Sequence, residues 1–295
     1  MTRTLVTGSA GRLGRSLVTT LAQAGHEVIG VDVTAGTPDE AAATLPADLT
    51  DLGEAYDVMA RFRPDVVVHL AAIATPFSRT DGLTFRTNTQ LAFNVCEAAS
   101  NLGVGRVVVA SSPTVIGYGA PSGWTPSYLP IDEEHPAKPW NSYSLSKLVA
   151  EQTMAAFARD SETRFAAVRP CFVVAPEEWA GAPTQSGHTI ADRLDRPEIA
   201  GVSLFNYIDA RDASDMISVL IERLPSLPNG EVFFAGASDA LARRPLAELL
   251  PAVLPATKPS ASPLTGTCPA FTSAKAERML GWTAKRSWRT ELEIG

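Results

Sequence analysis

Cysteine is scarce in this chain: Cys96, Cys171 and Cys268 are the only three, and they lie far apart. Such spacing forms neither a disulfide framework nor a zinc site, and it is expected of a reducing compartment, the cytoplasm. Histidine is equally thin. His26, His69, His135 and His188 stand alone, with nothing at metal-ligand spacing, so no metal is expected. Long apolar runs are missing: none approaches the roughly 18 residues of a membrane-crossing helix, and no membrane partner is expected. The N-terminus enters a strand at once and meets Gly8, unlike a signal peptide. Positive charge is in deficit, 25 Lys and Arg against 32 Asp and Glu, for a net −7. That balance argues against a nucleic-acid backbone as partner, although backbone dipoles can still hold a small anion locally. With 45% apolar and 19% charged residues, the chain is not disordered. At about 150 residues per domain, 295 residues make two domains or one large one.

What is present is an alternation of short β-branched runs with longer helical stretches. Strands are expected at 4–7, 28–32, 66–70, 106–111 and 165–169. Helices are expected at 12–24, 56–63, 88–100 and 142–159, the first with Leu13, Leu17, Val18 and Leu21 on one face. Continuous apolar strands joined by helices imply right-handed crossovers and a parallel sheet covered on both faces. The expected fold is therefore α/β, a doubly wound parallel sheet of the Rossmann type with a smaller C-terminal substrate lobe. Residues 1–170 form the dinucleotide domain, with 203–225 returning to it; residues 171–202 and 226–295 form the lobe. Six prolines between Pro245 and Pro269 predict loops and short helices there, and 274–280 reads as a short helix ended by Gly281.

The first strand runs into Gly8-Ser9-Ala10-Gly11-Arg12-Leu13-Gly14 and then a helix. Glycines there let the backbone approach a pyrophosphate, which the helix start and its dipole attract. Asp32 ends the next strand at the spacing of a ribose-hydroxyl acceptor. A carboxylate repels a 2′-phosphate, so NAD is expected rather than NADP, with Arg12 as the one opposing charge. Asp48 and Leu49 are candidates for the adenine end, or an ordinary helix start. Leu70, Ala71 and Ala72 offer small side chains at the end of the third strand, and Cys171 joins the cofactor set.

The fourth strand ends at Ser111-Ser112, and the long helix opens with Tyr143-Ser144-Leu145-Ser146-Lys147. Tyrosine and lysine four apart share a helix face. A free phenol, with a pKa of about 10, is a poor base at neutrality. An ammonium and a positive nicotinamide beside it would make Tyr143 a usable acid/base. Ser112 would hold the reacting oxygen. The substrate pocket is expected from 74–80, 112–115 and 172–176. Thr75, Arg79, Ser112, Pro113, Phe172 and Arg211 are its candidates, Arg79 as a clamp or simply a solvated residue. His69, Trp179, Trp282 and Trp288 are expected to pack.

Gly8, Gly11, Gly14, Asp32, Asp48, Ala71-Ala72, Asn88, Ser112, Tyr143, Lys147 and Arg169-Pro170, with the segments 206–212 and 273–282, resemble the extended short-chain dehydrogenases/reductases, the NAD-dependent epimerase/dehydratase family. The resemblance spans nearly the whole chain. It implies Tyr143 as acid/base, Lys147 as its partner, Ser112 as substrate-oxygen anchor and Asn88 steadying the helix that completes the site. It also implies a homodimer through the helices at 88–100 and 142–159. Two departures bear on the reaction. Pro113-Thr114 follows the hydroxyl residue where the family's sugar-nucleotide dehydratases carry Asp-Glu, which disfavours dehydration. Phe172 stands near the place of an asparagine that touches the diphosphate in many nucleotide-sugar enzymes. Residues 110–118 are also similar to the uronate-type sugar dehydrogenases of the family. The expected reaction is hydride transfer at a hydroxyl or carbonyl of a sugar-like or other small polar substrate. The alternatives are a nucleotide-sugar 4-epimerase with retained NAD and a non-catalytic NAD-sensing regulator.

Overall fold

The structure is a computed structural model and describes residues 1–34 and 36–292. Its strands are β1 (Arg3–Thr7), β2 (Glu27–Asp32), β3 (Ala43–Pro46), β4 (Val66–His69), β5 (Arg106–Ala110), β6 (Arg164–Pro170), β7 (Val173–Val174), β8 (Ile208–Asp209) and β9 (Glu231–Ala235). Seven of them make one sheet in the order β3-β2-β1-β4-β5-β6-β9, and β7 pairs with β8 apart from it. Every pairing in the large sheet is parallel. The strand order reverses between β1 and β4, so the crevice at their carboxyl ends is where such a sheet binds a ligand.

Both faces of the sheet are covered, as its continuous apolar strands require. Helices α1 (Arg12–Gln23), α2 (Leu52–Phe62), α3 (Asp81–Asn101) and α4 (Ser142–Asp160) come from the first half. Helices α5 (Pro176–Trp179), α6 (Ile190–Asp195), α7 (Pro197–Gly201), α8 (Ala210–Arg223), α9 (Leu246–Val253), α10 (Ala274–Leu280) and α11 (Trp288–Glu291) follow. In β4, Val66 and Val68 join the core layer holding Leu17 and Leu21 of α1 and Ile217 and Leu220 of α8. Val67 joins the opposite layer, with Val58 of α2, Val95 of α3 and Met154 of α4. A separate cluster gathers Trp179, Ile190, Tyr207 and Trp288.

One element lies outside its expected place. The division at residue 226 assigns 231–235 to the lobe, whereas β9 is the edge strand of the main sheet beside β6. The reason is burial: Val232 packs with one core layer and Phe233 with the other, so this short run needs a sheet with both faces covered. The tail at 285–292 is stitched to the body by a buried acid. Asp212 of α8, 1% exposed, accepts the backbone N–H groups of Lys285 and Arg286 and an Arg286 guanidinium N–H. Burial raises its carboxyl above the usual range, and these donors pull it back. Among the described residues no helix is long and apolar enough to cross a membrane.

Candidate active site

The turn after β1 is built on Gly8 in the left-handed region, φ +71°, where a Cβ would stand 2.7 Å from Ala71 N. A Cβ on Gly14 would lie 2.0 Å from Gly8 O, so α1 can begin this close to the turn only with glycine there. Gly11 caps α1 without a side-chain hydrogen bond, which leaves the first-turn N–H groups of α1 for an anion. Asp32 accepts the Ala10 N–H at 3.1 Å and also bonds Thr34, holding the carboxylate beside this loop. Arg12 is taken up by Glu178 of α5 at 2.7 Å, a carboxylate 2% exposed. Arg15 similarly pairs with Glu177 at 2.6 Å. The cations nearest the loop are thus paired, and Asp32, held by Ala10 and Thr34, lies beside the loop but off the crevice wall. These residues fit a dinucleotide without a 2′-phosphate.

Helix α4 starts under a capping box: Asn141 Oδ1 accepts the Ser144 N–H at 2.8 Å, and Ser144 Oγ accepts the Asn141 N–H at 3.2 Å. That fixed start puts Tyr143, Lys147 and Glu151 on one face, turned to the carboxyl ends of β5 and β6. Lys147 Nζ donates to Ala110 O at 2.8 Å and stands 5.9 Å from the centre of the Tyr143 ring. Burial lowers the Lys147 amine to about 8, opposed by the Glu151 carboxylate. Burial raises the Tyr143 phenol above its ordinary value, and the Ser112 hydroxyl beside it acts in the other direction. The Tyr143 phenol therefore keeps its proton at neutral pH. Glu151 in turn accepts from Ser111 Oγ at 2.5 Å and from Arg169 through two N–H groups at 2.8 and 2.9 Å. Asn88 of α3 binds both backbone groups of Ile73 and donates to Ser146 Oγ at 3.0 Å, tying the loop after β4 to α4.

A continuous crevice of about 670 Å³ joins the two regions. Gly8, Gly11, Arg12, Leu13, Gly14, Leu70, Ala72 and Cys171 line its cofactor side. Thr75, Ser112, Pro113, Tyr143, Lys147 and Phe172 line the remainder. Several expected residues lie elsewhere. Asp48 bonds its own turn, Thr50 N and Oγ1, and Leu49 is buried with its carbonyl held by Asn94. Ala71 backs Gly8, and its N–H donates to Thr7 Oγ1. Arg79 is exposed and lies off the crevice wall. Arg211 is corrected outright: its guanidinium is consumed by Asp209 and Glu291, each at 2.6 Å, and it lies off the crevice wall. His69, Trp179, Trp282 and Trp288 are buried, with His69 bonded to Thr7 Oγ1 at 2.7 Å.

Trp140, Tyr118 and Arg193 line the crevice outside the expected pocket segments, whereas Phe77 falls within 74–80. Phe77, in the left-handed region at φ +63°, meets Trp140 at 5.6 Å between ring centres. Tyr118 and Arg193 lie across the crevice wall. Arg193 belongs to a polar stretch with no hydrophobic period, and its neighbours Asp192, Asp195 and Arg196 make it read as one more solvated charge. Tyr118 lies inside the noted segment 110–118, the one signal that pointed to it.

The comparison with known proteins agrees with this geometry. The model of the NAD dependent epimerase/dehydratase family matches residues 4–236, and the chain belongs to that family. The cofactor of this family is NAD. A UDP-glucose 4-epimerase of Azospirillum brasilense is 35% identical over 158 residues, 52% of this chain and 43% of that protein. One from Mycolicibacterium smegmatis is 33% identical over 160 residues, 50% of this chain and 49% of that protein. The chain thus spans about half the length of the curated relatives it matches. In fold it is similar to a short-chain dehydrogenase/reductase superfamily protein of Agrobacterium tumefaciens with bound NAD. The TM-score is 0.74 at 23% identity, over 99% of this chain and 95% of that one.

Proposed function

We propose that the protein transfers hydride at a hydroxyl or carbonyl carbon of a sugar-like or small polar substrate, with Ser112, Tyr143 and Lys147 as its reaction centre. The observation that carries this reading is their convergence on one crevice with the glycine turn. The dinucleotide, when bound, accepts or returns the hydride and brings a positive charge in its oxidised form. Ser112 Oγ holds the substrate oxygen. Tyr143 donates its proton to that oxygen in reduction and recovers it in oxidation. Lys147, fixed on Ala110 O, lowers the cost of the phenolate. Asn88 keeps the β4 loop and α4 in register. Asp32 discriminates against a 2′-phosphate. Three cysteines, two of them buried thiols, support a reducing compartment such as the cytoplasm, and exposed apolar side chains on α3 and α4 support a homodimer.

Tyr143→Phe tests the reading. It is expected to lower kcat by about 10²–10⁴-fold while leaving NAD affinity unchanged. Turnover at the wild-type rate would remove Tyr143 from the chemistry. A second reading, 4-epimerisation of a nucleotide sugar with retained NAD, is favoured by the names of the curated relatives. It predicts interconversion of UDP-sugars with no net NADH, whereas a dehydrogenase accumulates NADH with product.

A further inference from the structure

We propose that Arg193 is a substrate-binding residue that receives one carboxylate of the substrate. The inference rests on the reaction centre proposed above and names the class of molecule that enters it: a polyhydroxy acid rather than a neutral sugar or a diphosphate.

Arg193 is 2% exposed, yet among the described residues it pairs with no carboxylate. Its guanidinium lies over the Phe172 ring at 4.2 Å and donates from Nη2 to Ser203 Oγ at 2.9 Å. Its Nε–H is buried with no partner. Burial lowers the group only to about 10, so it stays charged at neutral pH. A guanidinium taken out of water with most of its five donors unused is costly unless an anion completes it. Arg169 has Glu151, Arg211 has Asp209 and Arg286 has Asp212, while Arg164, whose Nε is also buried without a partner, bonds the Leu227 carbonyl and lies off the crevice wall. Arg193 differs in lining the crevice that also holds Ser112 and Tyr143.

The wall around it indicates what the missing anion is. Phe172 lies over the guanidinium at 4.2 Å, Ser203 takes one Nη2 hydrogen, and the buried Nε–H is left for an acceptor, which a carboxylate can supply. Tyr118 supplies a hydroxyl on the same wall, where Asn206 is held between Phe172 N and Ser203 O. The other cations of the crevice are committed, Arg12 to Glu178 and Lys147 to Ala110 O. One uncommitted positive charge matches one negative charge, whereas a diphosphate would bring two. Phe172, which departs from the nucleotide-sugar pattern, thereby acquires a role as the platform of the arginine.

The test is equilibrium calorimetry on the full chain loaded with NAD. Matched pairs are used (glucuronate with glucose, galacturonate with galactose), with UDP-glucose as a third probe. The acids are expected to bind about 10- to 100-fold more tightly than their neutral partners, the size of one charge-assisted pair. Arg193→Met, which keeps an apolar contact with Phe172, is expected to erase that preference, and Arg193→Lys to restore part of it. NAD affinity is expected to be unchanged in both variants. Absence of an acid preference in the wild-type protein overturns the proposal with no variant needed. So does a preference that survives Arg193→Met, or tighter binding of UDP-glucose than of the acids. Because the readout is binding, a Tyr143→Phe variant that still turned over would sink the proton-transfer reading and leave this one standing.

Discussion

At Lys147, burial and a carboxylate pull in opposite directions. Burial brings the amine down to about 8, and Glu151 one turn along α4 resists it. Above that pH the amine is neutral and no longer offsets charge on the Tyr143 oxygen. Carbonyl reduction is therefore expected to fall as pH rises through about 8. Glu151→Gln removes the opposing charge, so the falling limb is expected at lower pH. The same change strands the buried Arg169 guanidinium, a loss of about 3–5 kcal/mol in stability. A pH–rate profile and a denaturant titration on the same variant check both. A limb that stays in place would show that Glu151 does not act on Lys147.

Among the elements, α3 and α4 leave large apolar side chains uncovered. Phe93 is 47% exposed and Leu145 42%, and Phe93 meets Phe157 edge-on at 5.8 Å. A second copy of the chain would cover them, consistent with the proposed homodimer. Phe93→Glu is expected to convert a dimer to a monomer in sedimentation velocity with NAD binding retained; a monomeric wild-type protein would refute the pairing. Elements of this kind were unevenly legible. The strands β1, β2, β4 and β5 and the helices α1, α4 and α10 follow from apolar runs and 3.6-residue periods within a residue or so. Helix α3 begins at Asp81, seven residues before its apolar stretch, because its first two turns are largely exposed and carry no periodic signal. Strand β3 was hidden because its four residues are only half buried at a sheet edge and end in proline.

For the whole molecule, the cofactor turn and the Ser112, Tyr143 and Lys147 set could be found in the sequence because each is a local pattern: strand, glycines, helix, and two residues four apart. Arg193 could not, since what distinguishes it is the absence of an acid around it in three dimensions, and Arg211 was overvalued for the mirror-image reason. The tail carries a similar long-range dependence. Asp212 is folded into the interior on the strength of donors that arrive seventy residues later, at Lys285 and Arg286. A protease cut just before Lys285 that let the last described segment drift away would leave an acid stranded in apolar surroundings. Its carboxyl would then hold its proton above the unfolded value of 3.8, so the clipped protein would lose stability as pH rises from about 4. Melting curves of intact and nicked protein at several pH values would reveal this: the clipped form would favour mildly acidic buffer.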